Sequence, residues 1–303
     1  MALLFPGCRL VDAAPLSGGL ANTNLRLDLD GEPHRVVLRL YQRDPGEMTK
    51  EAAIAARLDG KVPVARFLHV ERDPGRLGAP FAVLSWVDGV ILDSVLPDLA
   101  PGDLARLGEA LGRMLAVIHS ENFPVAGFFD GELKVAHPID VGGAGLVAFC
   151  RRHLGDGLVV DRLGRDRARD LLAAVEAKAG LLDAWSGPPS LTHSDFNGSN
   201  ILVRPRDGEV EIAAVLDWEF AFAGSPFFDL GNVARPPLGD DAGFTDGLAR
   251  GYRAIDTRLP ANWPELARLA DLTAWIDFAT RPDLTQSVLA DVLAMIDRTI
   301  ASA

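Results

Sequence analysis

The chain has 303 residues, 48% of them hydrophobic and 24% charged, which is enough for a buried core in two lobes or one large domain. Its 42 acidic residues outnumber 30 basic ones, a formal charge of −12 that repels phosphate backbones with no basic stretch to oppose it; nucleic acid is excluded as an expected partner, and a cationic small molecule is mildly favoured. No run approaches the roughly 20 apolar residues of a membrane span, and Cys8 and Cys150 read as free thiols, so neither a membrane nor a disulfide framework is expected, and the protein reads as cytoplasmic.

The first 87 residues alternate short β-like runs with turn signals, at residues 9–16, 24–28, 35–41, 65–71 and 81–86. One helix interrupts them at residues 47–58, where Met48, Ala52, Ile54, Ala55 and Leu58 recur at mostly helical spacing before Asp59-Gly60. The pattern predicts a small lobe, residues 1–87, of antiparallel sheet with one helix. Between its first two strands lies Leu16-Ser17-Gly18-Gly19-Leu20-Ala21-Asn22-Thr23-Asn24. Such a turn either lets backbone N–H groups approach a phosphate or simply reverses the chain. On a following strand Arg39 interrupts the apolar run of residues 36–40, on the face opposite Leu38 and Leu40. It is either a solvated edge residue or a partner for Glu51 on the lobe's helix, with its fork left to grip phosphate oxygens.

From residue 88 to residue 303 helical patterns dominate. The stretch 100–120 carries Leu104, Leu107, Leu111, Leu115 and Ile118 in steps of three and four, and further helices are predicted at 143–153, 162–185, 241–255, 263–280 and 284–301. Only residues 190–217 are strongly β-like, and they hold most of the chemistry. His193-Ser194-Asp195-Phe196-Asn197-Gly198-Ser199-Asn200 reads as a polar loop between two strands. Phosphoryl transfer to a hydroxyl needs a carboxylate to orient the acceptor and oxygen donors for Mg²⁺; Asp195 and Asn200 supply both. A hairpin turn at Pro205-Arg206-Asp207-Gly208 returns the chain to Asp217, beside Asn200. The other reading of Asp217 is a solvated turn, which sits badly at the end of an apolar strand. His193 has no histidine neighbours in sequence and is read as structural. Asp229 starts a predicted helix, as an N-cap or a brace, and is structural in either case. Asp240, Asp241, Asp271, Asp277 and Asp283 either line an acidic acceptor pocket or sit on solvated helix faces.

These pieces, in this order, resemble the aminoglycoside phosphotransferase and choline kinase superfamily over about residues 16–232. The resemblance implies an α+β, two-lobed protein-kinase-like fold with an antiparallel-sheet N-lobe and a larger, mostly helical C-lobe. It further implies an ATP- and Mg²⁺-dependent small-molecule kinase acting on a hydroxyl. By analogy Gly18 and Gly19 lie in the nucleotide-covering loop, Arg39 paired with Glu51 grips phosphate, and the backbone of Ser85-Trp86-Val87 binds adenine. Asp195 matches the catalytic aspartate, Asn200 and Asp217 the Mg²⁺ ligands, and Asp229 a buried brace of the catalytic loop. The chain departs from the pattern in three places: Arg39 stands for the usual lysine, Ser194 for the usual glycine, and no full G-x-G-x-x-G is present. Only eleven residues separate Asp217 from Asp229, too few for the peptide-docking segment of a protein kinase. A metal-dependent phosphohydrolase built on His193 and Asp195 lacks the histidine partners it needs. A catalytically inactive nucleotide-binding regulator of the same fold is the alternative.

Overall fold

The computed structural model describes residues 4–16, 22–42, 44–206 and 209–302. In chain order the first elements are β1 (Leu10–Pro15), β2 (Thr23–Leu29), β3 (Arg35–Leu40), α1 (Pro45–Leu58), β4 (Phe67–Glu71), β5 (Phe81–Ser85) and β6 (Val90–Ile91). There follow α2 (Pro101–Ile118), β7 (Gly127–Phe129), β8 (Val135–Pro138), α3 (Gly143–His153), α4 (Gly157–Leu163), α5 (Arg165–Lys178) and β9 (Ser190–Thr192). The last are β10 (Ile201–Arg206), β11 (Glu209–Val215), β12 (Phe222–Gly224), α6 (Phe227–Val233), α7 (Ala242–Arg253), α8 (Trp263–Thr280) and α9 (Gln286–Ala301). The described residues pack as two units, one drawn from 1–103, 129–136 and 197–221, the other from 104–128, 137–196 and 222–303.

In the first unit β1 to β5 form an antiparallel sheet of order β1-β2-β3-β5-β4. The period of two on β3 sorts its side chains cleanly. Val36, Leu38 and Leu40 join Leu27, Phe81 and Val83 on one face, while Val37 and Tyr41, just beyond the strand, join Ala82, Leu84 and Met48 of α1 on the other. Helix α1 starts where the Asp44 carboxylate accepts the Gly46 N–H at 2.7 Å, with Pro45 in its first turn. A second sheet of order β11-β10-β6 holds the hairpin of β10 and β11.

The second unit is mostly helical, with a small sheet in which β12 pairs antiparallel with β7 at Phe128 and Gly127 and with β9 at Thr192, Leu191 and Ser190. Of the leucine stripe predicted from sequence on α2, Leu107, Leu111, Leu115 and Ile118 are all within 2% of full burial, while Leu104, near the start of the helix, is half-buried. Helix α7 packs so closely on α2 that a Cβ on Gly112 would lie 2.1 Å from the Leu248 carbonyl oxygen, so only glycine fits there. The single helix expected over residues 162–185 is instead α4, α5 and a 3₁₀ turn at Ala179–Ala184. Gly164 separates the first two with φ of +84°, a conformation that ends a right-handed helix. The short strands β6, β7, β8 and β12 were not expected, since two to four residues are too few to show a period. Among the described residues no helix is long and apolar enough to cross a membrane, and both cysteines are free.

Candidate active site

Arg39 is 8% exposed and lies on the α1 face of its sheet. Its Nη2 donates to Asp217 Oδ1 at 2.5 Å and stands 3.1 Å from Glu51 Oε1 and 3.5 Å from Glu219 Oε2. Tyr41, whose ring lies 5.4 Å from the guanidinium carbon, donates its hydroxyl to Glu51 Oε2 at 3.2 Å. Asn22 donates to Glu219 Oε2 at 2.8 Å, and Lys50 donates to the Glu219 backbone oxygen at 2.6 Å while pairing with Glu47. Of the two readings of Arg39, the solvated edge residue is excluded by this burial. Sequence reasoning foresaw the Glu51 partner but not Asn22, Tyr41, Lys50 or Glu219. Glu219 was the accessible one, standing two residues after Asp217.

This cluster sets four carboxylates, at Glu47, Glu51, Asp217 and Glu219, against two cations, at Arg39 and Lys50. Carboxylate oxygens of Glu51, Asp217 and Glu219 all lie within 4.8 Å of one another. Burial, opposed by Arg39 and reinforced by the charges of Asp217 and Glu219, pushes the Glu51 carboxyl up to about 8. Burial works against the charge on Arg39 too, but Glu51 and Asp217 outweigh it and hold the guanidinium above its ordinary value. A hard, oxygen-liganded cation fits such a donor set.

The β10–β11 hairpin brings Asp217 back as its spacing predicted. Ile201 pairs with Val215, and the Leu216 N–H donates to the Asn200 carbonyl at 2.8 Å, so Asn200 and the residue before Asp217 are directly bonded. Asp217 itself has φ of 63° and ψ of 67°, a left-handed backbone that a non-glycine residue adopts at a cost of about 1–3 kcal/mol. On the same unit, Gly198 leaves room for the Asp93 carboxylate: a Cβ at that position would lie 1.8 Å from Asp93 Oδ1. Burial raises the Asp93 carboxyl.

In the second unit, the segment leading into Asn197 is held by side chains at every backbone N–H. Asp229 accepts from His193 N at 2.9 Å and from Ser194 N at 2.7 Å, His193 Nδ1 accepts from Asp195 N at 3.2 Å, and Asn232 Oδ1 accepts from Phe196 N at 3.1 Å. Asp229 is fully buried inside α6, so it is no N-cap. Its Oδ2 also meets His119 Nε2 at 3.0 Å, and His119 Nδ1 meets the Tyr252 hydroxyl at 3.0 Å. With the proton on Nε2, His119 donates to Asp229 and accepts from Tyr252. His193 is fully buried, and its Nδ1 accepts the Asp195 N–H. Ser194, in the place usually held by glycine, has φ of 68°. Sequence reasoning missed His119, Asn232 and Tyr252, since nothing local marks them.

The remaining expectations fare differently. Ser85 ends β5 with its N–H donated to the Arg66 carbonyl at 2.8 Å and its hydroxyl accepting from Arg66 N at 2.9 Å. Val87 follows in an irregular stretch, after Trp86 whose indole donates to Asp88 at 2.7 Å. Gly18 and Gly19 lie outside the described residues. Four of the late aspartates have partners within the chain, and Asp240 and Asp271 also line one cavity. Asp240 pairs with Arg298, Asp277 with Arg281, Asp241 caps α7 through Phe244 N, and Asp271 is bonded to Asn232, Arg235 and Trp275.

Comparison with known proteins adds the family. Residues 12–295 match the model of the phosphotransferase enzyme family. Among curated proteins the chain is 30% identical over 176 residues to acyl-CoA dehydrogenase family member 11 of Mus musculus, covering 57% of this chain and 20% of that protein. It is 25% identical over 180 residues to family member 10 of Mus musculus, covering 56% of this chain and 15% of that protein. The chain thus spans a fifth or less of the length of these relatives. Among solved structures, the GDP complex of wild-type aminoglycoside 2'-phosphotransferase-IIIa matches with a TM-score of 0.72 and 17% identity, over 99% of this chain and 96% of that one. The GDP and kanamycin complex of APH(2")-IIIa gives 0.71 and 17%, over 99% and 97%. The ternary complex of an APH(4)-Ia mutant with ADP and hygromycin B gives 0.68 and 18%, over 97% and 95%. At such identities the structures show the fold, and the family match covers most of the chain: this protein belongs to the phosphotransferase enzyme family and has the aminoglycoside kinase-like fold.

Proposed function

We infer that the chain transfers the terminal phosphoryl group of ATP to a hydroxyl of a small molecule, with residues 1–87 binding nucleotide and residues 88–303 carrying the catalytic loop and the acceptor site. The observation that carries this reading is the segment 193–196, whose four consecutive N–H groups are all bonded to side chains. A backbone held in this way keeps the Asp195 carboxylate in register. That is what a group needs if it is to orient an acceptor hydroxyl and take its proton.

The backbone bond from Leu216 to Asn200 supports assigning the metal to Asn200 and Asp217, and the carboxylate excess around Arg39 fits added positive charge. Mg²⁺ bound there supplies charge neutralisation on the nucleotide phosphates. Arg39, oriented by Glu51, would meet phosphate oxygens with its fork. Ser85 C=O and Val87 N–H, two residues apart, would meet the adenine edge, and the backbone N–H groups of Gly18 and Gly19 would serve the phosphates. His193 and Asp229 shape the loop. A cytoplasmic location, where ATP is abundant, goes with this reading.

The acceptor is a small hydroxylated molecule, and the charge of −12 favours one that carries amines. Kanamycin and hygromycin B in the complexes of similar fold belong to that class. Acceptor-dependent ADP release, measured over a panel of aminoglycosides, amino alcohols and sugars, tests the reading. Transfer to at least one member is expected. Tight Mg·ATP binding without transfer to any member would favour the inactive regulator instead.

A further inference from the structure

We propose that Asn232 is a positioning residue for phosphoryl transfer, setting through the Phe196 N–H the backbone that carries Asp195, and that Asp271 dictates which end of its amide faces the loop. The proposal rests on the phosphotransferase reading above. Asn232, on α6, is 3% exposed. Its Oδ1 accepts from Phe196 N at 3.1 Å and its Nδ2 donates to Asp271 Oδ1 at 2.8 Å. Asp271, on α8 and 2% exposed, accepts from Arg235 Nη2 at 2.6 Å, Arg235 Nε at 2.9 Å and Trp275 Nε1 at 2.6 Å. The Arg235 guanidinium lies 4.5 Å from the centre of the Trp275 ring.

The chemistry of these groups gives the relay a direction. A side-chain amide has two ends of nearly equal shape, one accepting and one donating, and nothing in the asparagine itself selects between them. A carboxylate oxygen accepts, and Arg235 grips Asp271 through two N–H groups, Nη2 on Oδ1 and Nε on Oδ2. Asp271 therefore takes the donating end of Asn232, and the accepting end must turn to Phe196. Asp229 holds the loop on the other side of Asp195, at His193 and Ser194. Asp195 thus lies between two anchors on α6 that bond different N–H groups, so losing the second loosens the loop at Phe196 while the bonds at His193 and Ser194 remain.

The test uses the full chain with Asn232→Ala, Asn232→Leu and Asp271→Asn. Two quantities are read: amide hydrogen exchange at residues 193, 194 and 196 by NMR, and kcat and KM for Mg·ATP with an acceptor from the panel above. Both substitutions of Asn232 remove the acceptor and are expected to speed exchange at Phe196 by about tenfold or more while His193 and Ser194 stay protected. They are expected to lower kcat by about ten- to hundredfold with KM for Mg·ATP almost unchanged. Asp271→Asn leaves Asn232 in place but sets against it an amide that both accepts and donates, so the end of Asn232 that faces Phe196 is no longer dictated. Exchange at Phe196 should then rise by less than in Asn232→Ala, with His193 and Ser194 still protected. Unchanged exchange at Phe196 in any of the three variants, or equal loss across residues 193, 194 and 196, overturns the proposal. The exchange arm needs no turnover, so a wild-type chain that phosphorylates nothing overturns the phosphotransferase reading separately from this one.

Discussion

Arg39 and Asp217 are 178 residues apart and share a 2.5 Å hydrogen bond, made by a guanidinium that has lost nearly all its water. Removing one partner of a buried ion pair leaves the others uncompensated. Arg39→Met should therefore cost about 3–5 kcal/mol of unfolding free energy, read from the urea midpoint at constant slope. Arg39→Lys keeps the charge and loses the fork, so it should fall between. An Arg39→Met chain as stable as the wild type would contradict the burial account.

Asp195→Ala should lower kcat by about 10²–10⁴-fold while Mg·ATP affinity, measured by calorimetry, stays near the wild-type value. Asp217→Ala should do the reverse, weakening Mg²⁺-dependent nucleotide binding first. Undiminished turnover in Asp195→Ala would remove that residue from the mechanism.

Asp229→Ala leaves the His193 and Ser194 N–H groups and His119 without their acceptor in a fully buried place. A loss of about 3 kcal/mol is expected, with exchange accelerating at residues 193 and 194 more than at Phe196. Chemical denaturation and amide exchange check the two parts independently.

Ser194 occupies a left-handed backbone with φ of 68°. Glycine enters that region freely, so Ser194→Gly should fold with stability equal to the wild type or up to about 1 kcal/mol higher. Ser194→Val, β-branched, should lose about 1–2 kcal/mol or more. Thermal unfolding of the pair decides it; destabilisation by glycine would mean that the Ser194 side chain, and not its backbone, matters.

Burial pushes the Cys150 thiol up to about 12, against 9.0 for a free thiol. The folded state therefore holds its proton where the unfolded chain gives it up. Stability from this group is fully present below pH 9 and is lost as pH rises from 9 toward 12. A thiol-reactive dye at pH 8 should label Cys8 quickly and Cys150 only after denaturation. Fast labelling of both in the folded protein would contradict the burial of Cys150.

Wherever a pattern repeats, the sequence was readable. The alternation on β3 separated Arg39 from Leu38 and Leu40, and the three-and-four spacing of Leu107, Leu111, Leu115 and Ile118 named the buried stripe of α2. The hairpin expected at residues 205–208 returned Asp217 to the neighbourhood of Asn200, but the sequence did not show the register shift between Leu202 and Val203 that sets Ile201 opposite Val215. The break at Gly164 was not readable, since the helical period runs across it and only the positive φ reveals the stop.

What the sequence determined by itself was local: element type, the polar loop around Asp195, and the order of its carboxylates and amides along the chain. Tertiary structure alone decided which distant groups meet, as with the ion pair of Arg39 and Glu219 and the hydrogen bonds of His119 to Asp229 and Asn232 to Asp271. The physical reason is that a buried polar group must find a partner wherever packing offers one, and a lone Asn or Asp inside a helical pattern carries no mark of where that partner lies.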